Sequence, residues 1–325
     1  MASVFRAIIP EFLKNGWAVE MDFNDASRKV YGCDANLRKS LQDIDLFMCG
    51  YDDARRDQTS RTILQMRERK IPSVGFLDAW RGTSRFWYEN GDPRPIADIT
   101  YVPDQILKNH LISRGMSHEV LQTVIHPVLT SLLALTSDQI EKLKQNTRSK
   151  LGFCHQDRIL VFFSEPLHQA VLPNGARESL CRMNIRGSQR SALDHLAEIF
   201  GSEYKLVLRA HPLESGIHVA KRWVLGNDLS LEELLICADL VCGVGATPLI
   251  FTTLLGKPVI NLCEDITWRP GDSNYDDIVW SDLINRGRVG QLLKNYSQGI
   301  FAPSPISVSG IGLFEAILGY YKIHR

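Results

Sequence analysis

Several short segments of this 325-residue sequence place side chains capable of chemistry directly after apolar runs. Gly50-Tyr51-Asp52-Asp53 follows Leu46–Cys49. A carboxylate such as Asp52 can accept from a sugar hydroxyl or act as a base, although Gly and Asp are also ordinary turn formers. Asp78-Ala79-Trp80-Arg81 follows Ser73–Leu77. Carboxylate, aromatic ring and guanidinium can together hold a sugar and an anion, while the same Asp78 could simply cap a helix. Downstream, Arg85, Glu89 and Asp92 lie in a polar loop with Gly and Pro that could close over a ligand. Arg209-Ala210-His211-Pro212 follows Lys205–Leu208. An imidazole there can hydrogen-bond a diphosphate or move a proton near neutral pH.

Two further segments bear on anion binding. Gly243-Val244-Gly245-Ala246-Thr247-Pro248 lies between a strand pattern and a helix pattern. Small residues let the backbone approach phosphates, and a helix start offers free N–H groups at the positive end of its dipole. No Gly-Lys-Ser/Thr follows, so the turn is not a Walker A loop. In Thr267-Trp268-Arg269-Pro270-Gly271-Asp272, Arg269 could pair with a phosphate and Asp272 with a hydroxyl. A solvated loop is the equal alternative there.

The elements that must position these residues alternate. Strand patterns at Leu46–Cys49, Ser73–Leu77, Ile99–Val102 and Leu121–Val124 are interleaved with helical patterns at Ser60–Arg69 and Asp104–Ser113. After a polar helical stretch, Ser137–Lys150, the uninterrupted apolar run Arg158–Ser164 restarts the series. It continues through Gln189–Phe200 (helix), Lys205–Arg209 (strand), Leu231–Ala238 (helix), Leu240–Cys242 (strand), Pro248–Leu255 (helix) and Pro258–Leu262 (strand). Parallel neighbours need crossovers, so alternation implies parallel sheets. The fold class expected is α/β, with two doubly wound, Rossmann-like domains and a cleft between them. Residues 1–135 form the first domain, 136–150 a connecting helix and 151–325 the second, the last helix (Gly310–Tyr321) packing back on the first. The chain opens with an amphipathic helix, Ala2–Asn15, and a strand pattern, Trp17–Phe23. Doubly wound domains open instead with a strand and a Gly-rich turn, so a first strand is expected upstream of Met1.

Composition narrows the function. Lys plus Arg and Asp plus Glu both number 37. This balance, without a basic stripe, argues against a nucleic-acid partner. The seven cysteines show no CxxC spacing, which gives no reason to expect a zinc or redox site. Neither a signal peptide nor an apolar run of membrane-spanning length is recognised. A cytoplasmic location is the expectation, and peripheral membrane contact and oligomeric state are left open.

Tyr101-Val-Pro-Asp-Gln-Ile-Leu-Lys-Asn-His-Leu-Ile-Ser-Arg-Gly115, then Val124-Ile-His-Pro127, Arg209-Ala-His-Pro212, and Gly243–Pro258 ending in Leu-Gly-Lys-Pro, occur in that order. They resemble segments of the GT-B architecture, in particular the group holding UDP-N-acetylglucosamine 2-epimerases and related glycosyl- and glycerophosphotransferases. The resemblance implies a nucleotide diphosphate bound mainly by the second domain and an acceptor or sugar facing the first. By position, Asp52, Asp78 and His211 match places where the epimerases carry catalytic or sugar-contacting groups. The chain departs from the epimerases in two places. Leu249-Ile250-Phe251-Thr252 stands where they have paired acids, and Asp78 stands in place of a Glu. With these departures the resemblance implies sugar transfer from a nucleotide-sugar donor to a glycan or lipid-linked acceptor. Asp78 or Asp52 would be the base. His211, Arg209, Gly243, Gly245, Ala246, Thr247, Arg269 and Asp272 would lie on the donor side, and Trp80, Arg81, Arg85, Glu89 and Asp92 on the acceptor side. No metal-binding DxD-like motif follows a suitable strand, and no cofactor is expected beyond the donor substrate. The alternatives are an epimerase or hydrolase on the same scaffold, or a nucleotide-sugar-binding protein without catalysis.

Overall fold

A computed structural model describes residues 2–19, 44–51, 57–77, 83–88, 90–171, 177–179, 190–211, 214, 221–262 and 312–324. The chain divides into two compact units. The first holds the described residues up to Ala134 together with the C-terminal helix, and the second holds those from Leu135 to Leu262.

In the first unit, β1 (Phe47–Gly50), β2 (Ser73–Phe76), β3 (Ile99–Val102) and β4 (Leu121–Thr123) pair in parallel in that order. The helices α2 (Gln58–Glu68) and α3 (Gln105–Ser113) return the chain between strands, as parallel pairing requires. All four residues of β2 are buried, the mark of a strand covered on both faces. In α2 the buried Ser60, Ile63 and Met66 share one face. In α3 the Asp104 carboxylate accepts from the Leu107 amide at 2.7 Å, supplying one of the bonds that a helix start lacks.

One face of this sheet is covered by α1 (Ala2–Lys14) and the C-terminal α9 (Leu313–His324). Ile8 and Phe12 of α1 and Leu313 and Ile317 of α9 share a core with Val74, Phe76, Tyr101 and Val124. The Tyr101 hydroxyl donates to the Ala316 carbonyl at 2.8 Å, and Ile125 pairs in parallel with Gly312. The strand expected at Trp17–Phe23 is not seen over the described Trp17–Val19. The helix ends instead at Gly16 in the left-handed conformation, φ +82°. The Trp17 amide then returns to the Phe12 carbonyl at 3.1 Å, and the indole packs edge-on against Phe12 and Tyr321. This is a helix-terminating motif closed by an apolar contact, and it fixes Trp17 before a strand could begin.

The second unit begins with α5 (Ser137–Lys150), preceded by α4 (Pro127–Leu133) in the first. Reciprocal bonds between Thr136 and Gln139 start α5. At its other end the buried Arg148 donates to the carbonyls of Cys154, His155 and Asp157 and pairs with Asp239 at 3.0 Å. Next come β5 (Arg158–Phe163), the antiparallel hairpin β6 (Pro166–Val171) and β7 (Arg177–Ser179), α6 (Ala192–Phe200), β8 (Tyr204–Arg209) and β9 (Trp223–Leu225). The unit continues with α7 (Leu231–Cys237), β10 (Leu240–Gly243), α8 (Thr247–Leu254) and β11 (Val259–Asn261).

Its sheet is parallel throughout, in the order β11-β10-β5-β8-β9. The chain lays β5 centrally, builds outward through β8 to β9, then crosses back to place β10 and β11 on the other side. This is Rossmann topology. Leu160, Phe162, Leu206, Leu208, Cys242 and Ile260 from the sheet pack with Leu193, Leu196 and Phe200 of α6. Both units are thus α/β with parallel sheets. Among the described residues, no helix is long and apolar enough to cross a membrane.

Candidate functional site

The strand order of the second unit reverses between β5 and β10, and open parallel sheets bind ligands beyond the carboxyl ends of the strands at such a point. Ser164 and Glu165 leave β5 there, both buried. Gly243 ends β10 beside them, and a Cβ on it would stand 2.8 Å from the Phe163 carbonyl oxygen. Only glycine lets these two strand ends lie so close. Gly245 adopts φ +67°, the left-handed region where a side chain is disfavoured. Its amide donates to the Asn261 side-chain oxygen at 3.0 Å, and the Leu262 amide to the Gly243 carbonyl at 2.8 Å. The end of β11 therefore sets the conformation of the turn.

The turn feeds α8, which starts at Thr247 with Ala246 as its N-cap and no side-chain cap bond. The helices α5, α6 and α7 are capped by Thr136, Ser191 and Ser230. The first amides of any helix lack a helical partner and sit at the positive end of its dipole. At α8 Pro248 has no N–H and the Leu249 amide bonds the Ala246 carbonyl at 3.0 Å, so it is the Thr247 amide that lies where the sheet order reverses, a position suited to an anion.

The turn after β8 is held from two sides. Toward β9, Arg209 Nη1 donates to the carbonyls of Gly226, at 3.1 Å, and Asn227. The Ala210 amide bonds the Asn227 side-chain oxygen at 2.9 Å. Burial lowers the Arg209 pKa, with Asp228 acting in the opposite sense. Toward β5, the Glu214 carboxylate accepts from the His211 amide at 2.7 Å and from the Ser164 hydroxyl at 2.8 Å. The Glu214 amide returns to the His211 carbonyl at 2.9 Å. His211, Gly243, Gly245, Ala246 and Thr247 all belong to this carboxyl edge, whereas the guanidinium of Arg209 is engaged with the loop after β9. Glu214 and Ser164 were not singled out from sequence. The signal for Glu214 was its position three residues after His211, the spacing of reciprocal side chain–backbone bonds at turns.

In the first unit, Asp52, Asp78, Trp80, Arg81 and Glu89 lie outside the described residues, as do Arg269 and Asp272 of the chain's later loop. Arg85 sits in a 3₁₀ turn, Thr83–Phe86, and donates to the Tyr51 carbonyl at 3.4 Å. The Tyr51 phenol, buried after β1, bonds the Thr100 hydroxyl and accepts from the Ala97 amide at 3.3 Å. Its ring packs on Phe86 with centroids 4.6 Å apart, and burial raises its pKa. The Arg85 turn is thereby tied to the end of β1. Asp92 is exposed and takes part in a tight turn, accepting from Asn90 at 2.7 Å, with its carbonyl accepting from the Tyr88 amide at 2.8 Å.

His126 follows β4 and was not given a role from sequence. Its Nδ1 accepts from the Val128 amide at 3.2 Å, capping α4. That bond places the neutral ring's proton on Nε2, and burial pushes the pKa down to about 3. Among the described residues no group of three or more His, Cys, Asp or Glu could hold a metal ion.

No protein-family profile matches the sequence, and no curated protein matches it. Solved structures do. The UDP-GlcNAc 2-epimerase from Neisseria meningitidis bound to UDP-GlcNAc aligns with a TM-score of 0.53 at 17% identity, over 100% of this chain and 97% of that one. The wall teichoic acid polymerase TagF aligns with a TM-score of 0.45 at 13% identity over 75% of this chain, which spans 58% of TagF's length. The UDP-N-acetylglucosamine 2-epimerase from Rickettsia bellii gives 0.45 at 13%, over 86% of this chain and 74% of that one. The chain has a GT-B-like α/β fold of two Rossmann-like units, the fold it shares with the Neisseria protein.

Proposed function

We propose that the chain is a glycosyltransferase-like enzyme that moves a sugar, or a related group, from a nucleotide-diphosphate donor to a glycan or lipid-linked acceptor. The observation that carries this reading is the carboxyl edge of the second sheet. There the Gly243–Thr247 turn and the start of α8, without a side-chain cap, lie on one side of the end of β5, and the His211 turn lies on the other. In the proposed reaction the acceptor oxygen forms a bond to the donor's anomeric carbon while the bond to the diphosphate oxygen breaks. Asp78, or Asp52, takes the acceptor proton. The departing diphosphate is stabilised by the amides of Ala246 and Thr247 and by His211, with Arg269 and Asp272 assigned to the same donor side. Preorganised amides of this kind stabilise charge that develops in the transition state. Arg209 enters the proposal as the group that holds the neighbouring loop. Trp80, Arg81, Arg85, Glu89 and Asp92 are assigned to the acceptor side, the place of action is the cytoplasm, and no cofactor is invoked.

The test is a thermal-shift titration of the protein against UDP, CDP, GDP, CMP and their sugar conjugates. A ligand at 100 times its Kd adds about 2.7 kcal/mol of stability, so one preferred nucleotide should raise the midpoint clearly. No shift with any of them overturns the proposal. With the preferred donor in hand, His211→Ala should depress turnover strongly while leaving the fold intact, and near-wild-type turnover would remove His211 from the mechanism. Conversion or hydrolysis of the donor without acceptor would replace transfer with epimerisation or hydrolysis.

A further inference from the structure

The turn Arg209–Glu214 leaves the sheet after β8, and no strand pairing of β8 extends beyond Arg209. What closes it is Glu214. One carboxylate oxygen takes the His211 amide at 2.7 Å and the other takes the hydroxyl of Ser164 at 2.8 Å. Ser164 is buried at the exit of β5, and its amide is already fixed to the Arg209 carbonyl at 2.9 Å. The carboxylate therefore ties the backbone of His211 to the central strand at the reversal of sheet order. Hydrogen bonds to a charged acceptor are shorter and stronger than neutral ones. Their bonds join a turn to a strand end and replace none of the sheet's own pairings, so their loss acts on the turn more than on the sheet.

We propose that Glu214 is a positioning residue, which with Ser164 holds the His211 turn in the conformation that receives the donor's diphosphate; this rests on the function proposed above. Glu214→Ala releases the turn. Glu214→Gln retains it in large part, because the side-chain oxygen can still accept from the His211 amide while the NH2 donates to Ser164 Oγ. Ser164→Ala removes one of the two anchors.

The experiment measures Kd for UDP, CDP and GDP by calorimetry in wild type, Glu214→Ala, Glu214→Gln, Ser164→Ala and His211→Ala. The His211 amide is followed in parallel by NMR of protein labelled with ¹⁵N-histidine. The expected result is about a tenfold weakening of the best nucleotide in Glu214→Ala, recovered mostly in Glu214→Gln and intermediate in Ser164→Ala. The His211 amide signal should move upfield in the same order, while the thermal midpoint without ligand changes little. If wild type binds a nucleotide and Glu214→Ala binds it equally well, the positioning role is overturned and the functional reading survives. Equal losses in Glu214→Ala and Glu214→Gln, with a lowered midpoint in both, would overturn it in favour of a purely structural role. If wild type binds none of the three nucleotides, the functional reading itself fails and takes this proposal with it.

Discussion

His126 should give the first unit an acid limit that can be removed by one substitution. The ring is 3% exposed, its Nδ1 is occupied as an acceptor, and its pKa is about 3 against 6.5 in the unfolded chain. Above pH 6.5 neither state carries the proton, and the stabilisation from burying a neutral ring is complete. As pH falls from 6.5 toward 3, the unfolded chain binds a proton that the folded unit refuses. Stability is then lost at about 1.4 kcal/mol per pH unit. The loss from this group is roughly 2 kcal/mol at pH 5 and levels off near 5 kcal/mol below pH 3. For a unit of this size, 1 kcal/mol moves the midpoint by roughly 2–4 °C. His126 alone should therefore lower the wild-type midpoint by roughly 4–8 °C between pH 7 and pH 5. His126→Asn keeps a cap, because the amide oxygen can accept from the Val128 N–H and Asn is a favoured N-cap, but it has no proton to bind. Melting curves followed by circular dichroism at half-unit steps of pH should show the variant losing that much less than wild type. Parallel losses in the two proteins would refute the argument.

Two other substitutions test the second unit. Gly243→Ala drives a Cβ to within 2.8 Å of the Phe163 carbonyl oxygen; the strand ends must separate, at a cost of about 1–3 kcal/mol. The nucleotide-induced thermal shift should fall as well, and an unchanged shift would mean that the turn does not carry the ligand. Arg148→Ala leaves the carbonyls of Cys154, His155 and Asp157 and the Asp239 carboxylate without their buried guanidinium. It should lower unfolding stability by about 3 kcal/mol, read as a reduced urea midpoint; a midpoint within error of wild type would show that water replaces the contacts.

Much of the fold was legible because its strands are short and several of them, β2, β5, β10 and β11, are buried on both faces. Apolar runs such as Arg158–Ser164 and Leu240–Cys242 therefore coincide with strands almost residue for residue. The helix at Ser137–Lys150 was equally plain, since its capping residues Thr136 and Gln139 and its polar composition act locally. β9 was missed because Val224 and Leu225 are exposed and three residues are too few for a pattern. The helix α4 was missed because His126-Pro127 reads as a turn, and only the structure shows the imidazole capping the helix that Pro127 begins. At the site, the Gly243–Thr247 turn could be read from its glycines. The link from Ser164 to Glu214 could not, because the two residues are far apart in sequence and meet only through the pairing of β5 with β8.

That link also explains why one basic side chain has a different task from the one its position suggested. A turn bearing a histidine after an edge-directed strand has neighbours on both sides, and each must be bound to it if the imidazole is to keep one place. Toward β9 the work is done by Arg209, whose guanidinium spans the carbonyls of Gly226 and Asn227, with Asn227 answering through its side chain to the Ala210 amide. Toward β5 it is done by Glu214 through Ser164. A planar, permanently charged fork suits the first task, since it can serve backbone carbonyls at a half-buried position where a neutral donor would supply weaker bonds. A carboxylate suits the second, since it can accept from an amide and a hydroxyl at once. The charges of Arg209 and Glu214 thus hold the turn from either side, one toward the loop after β9 and the other toward the end of the central strand.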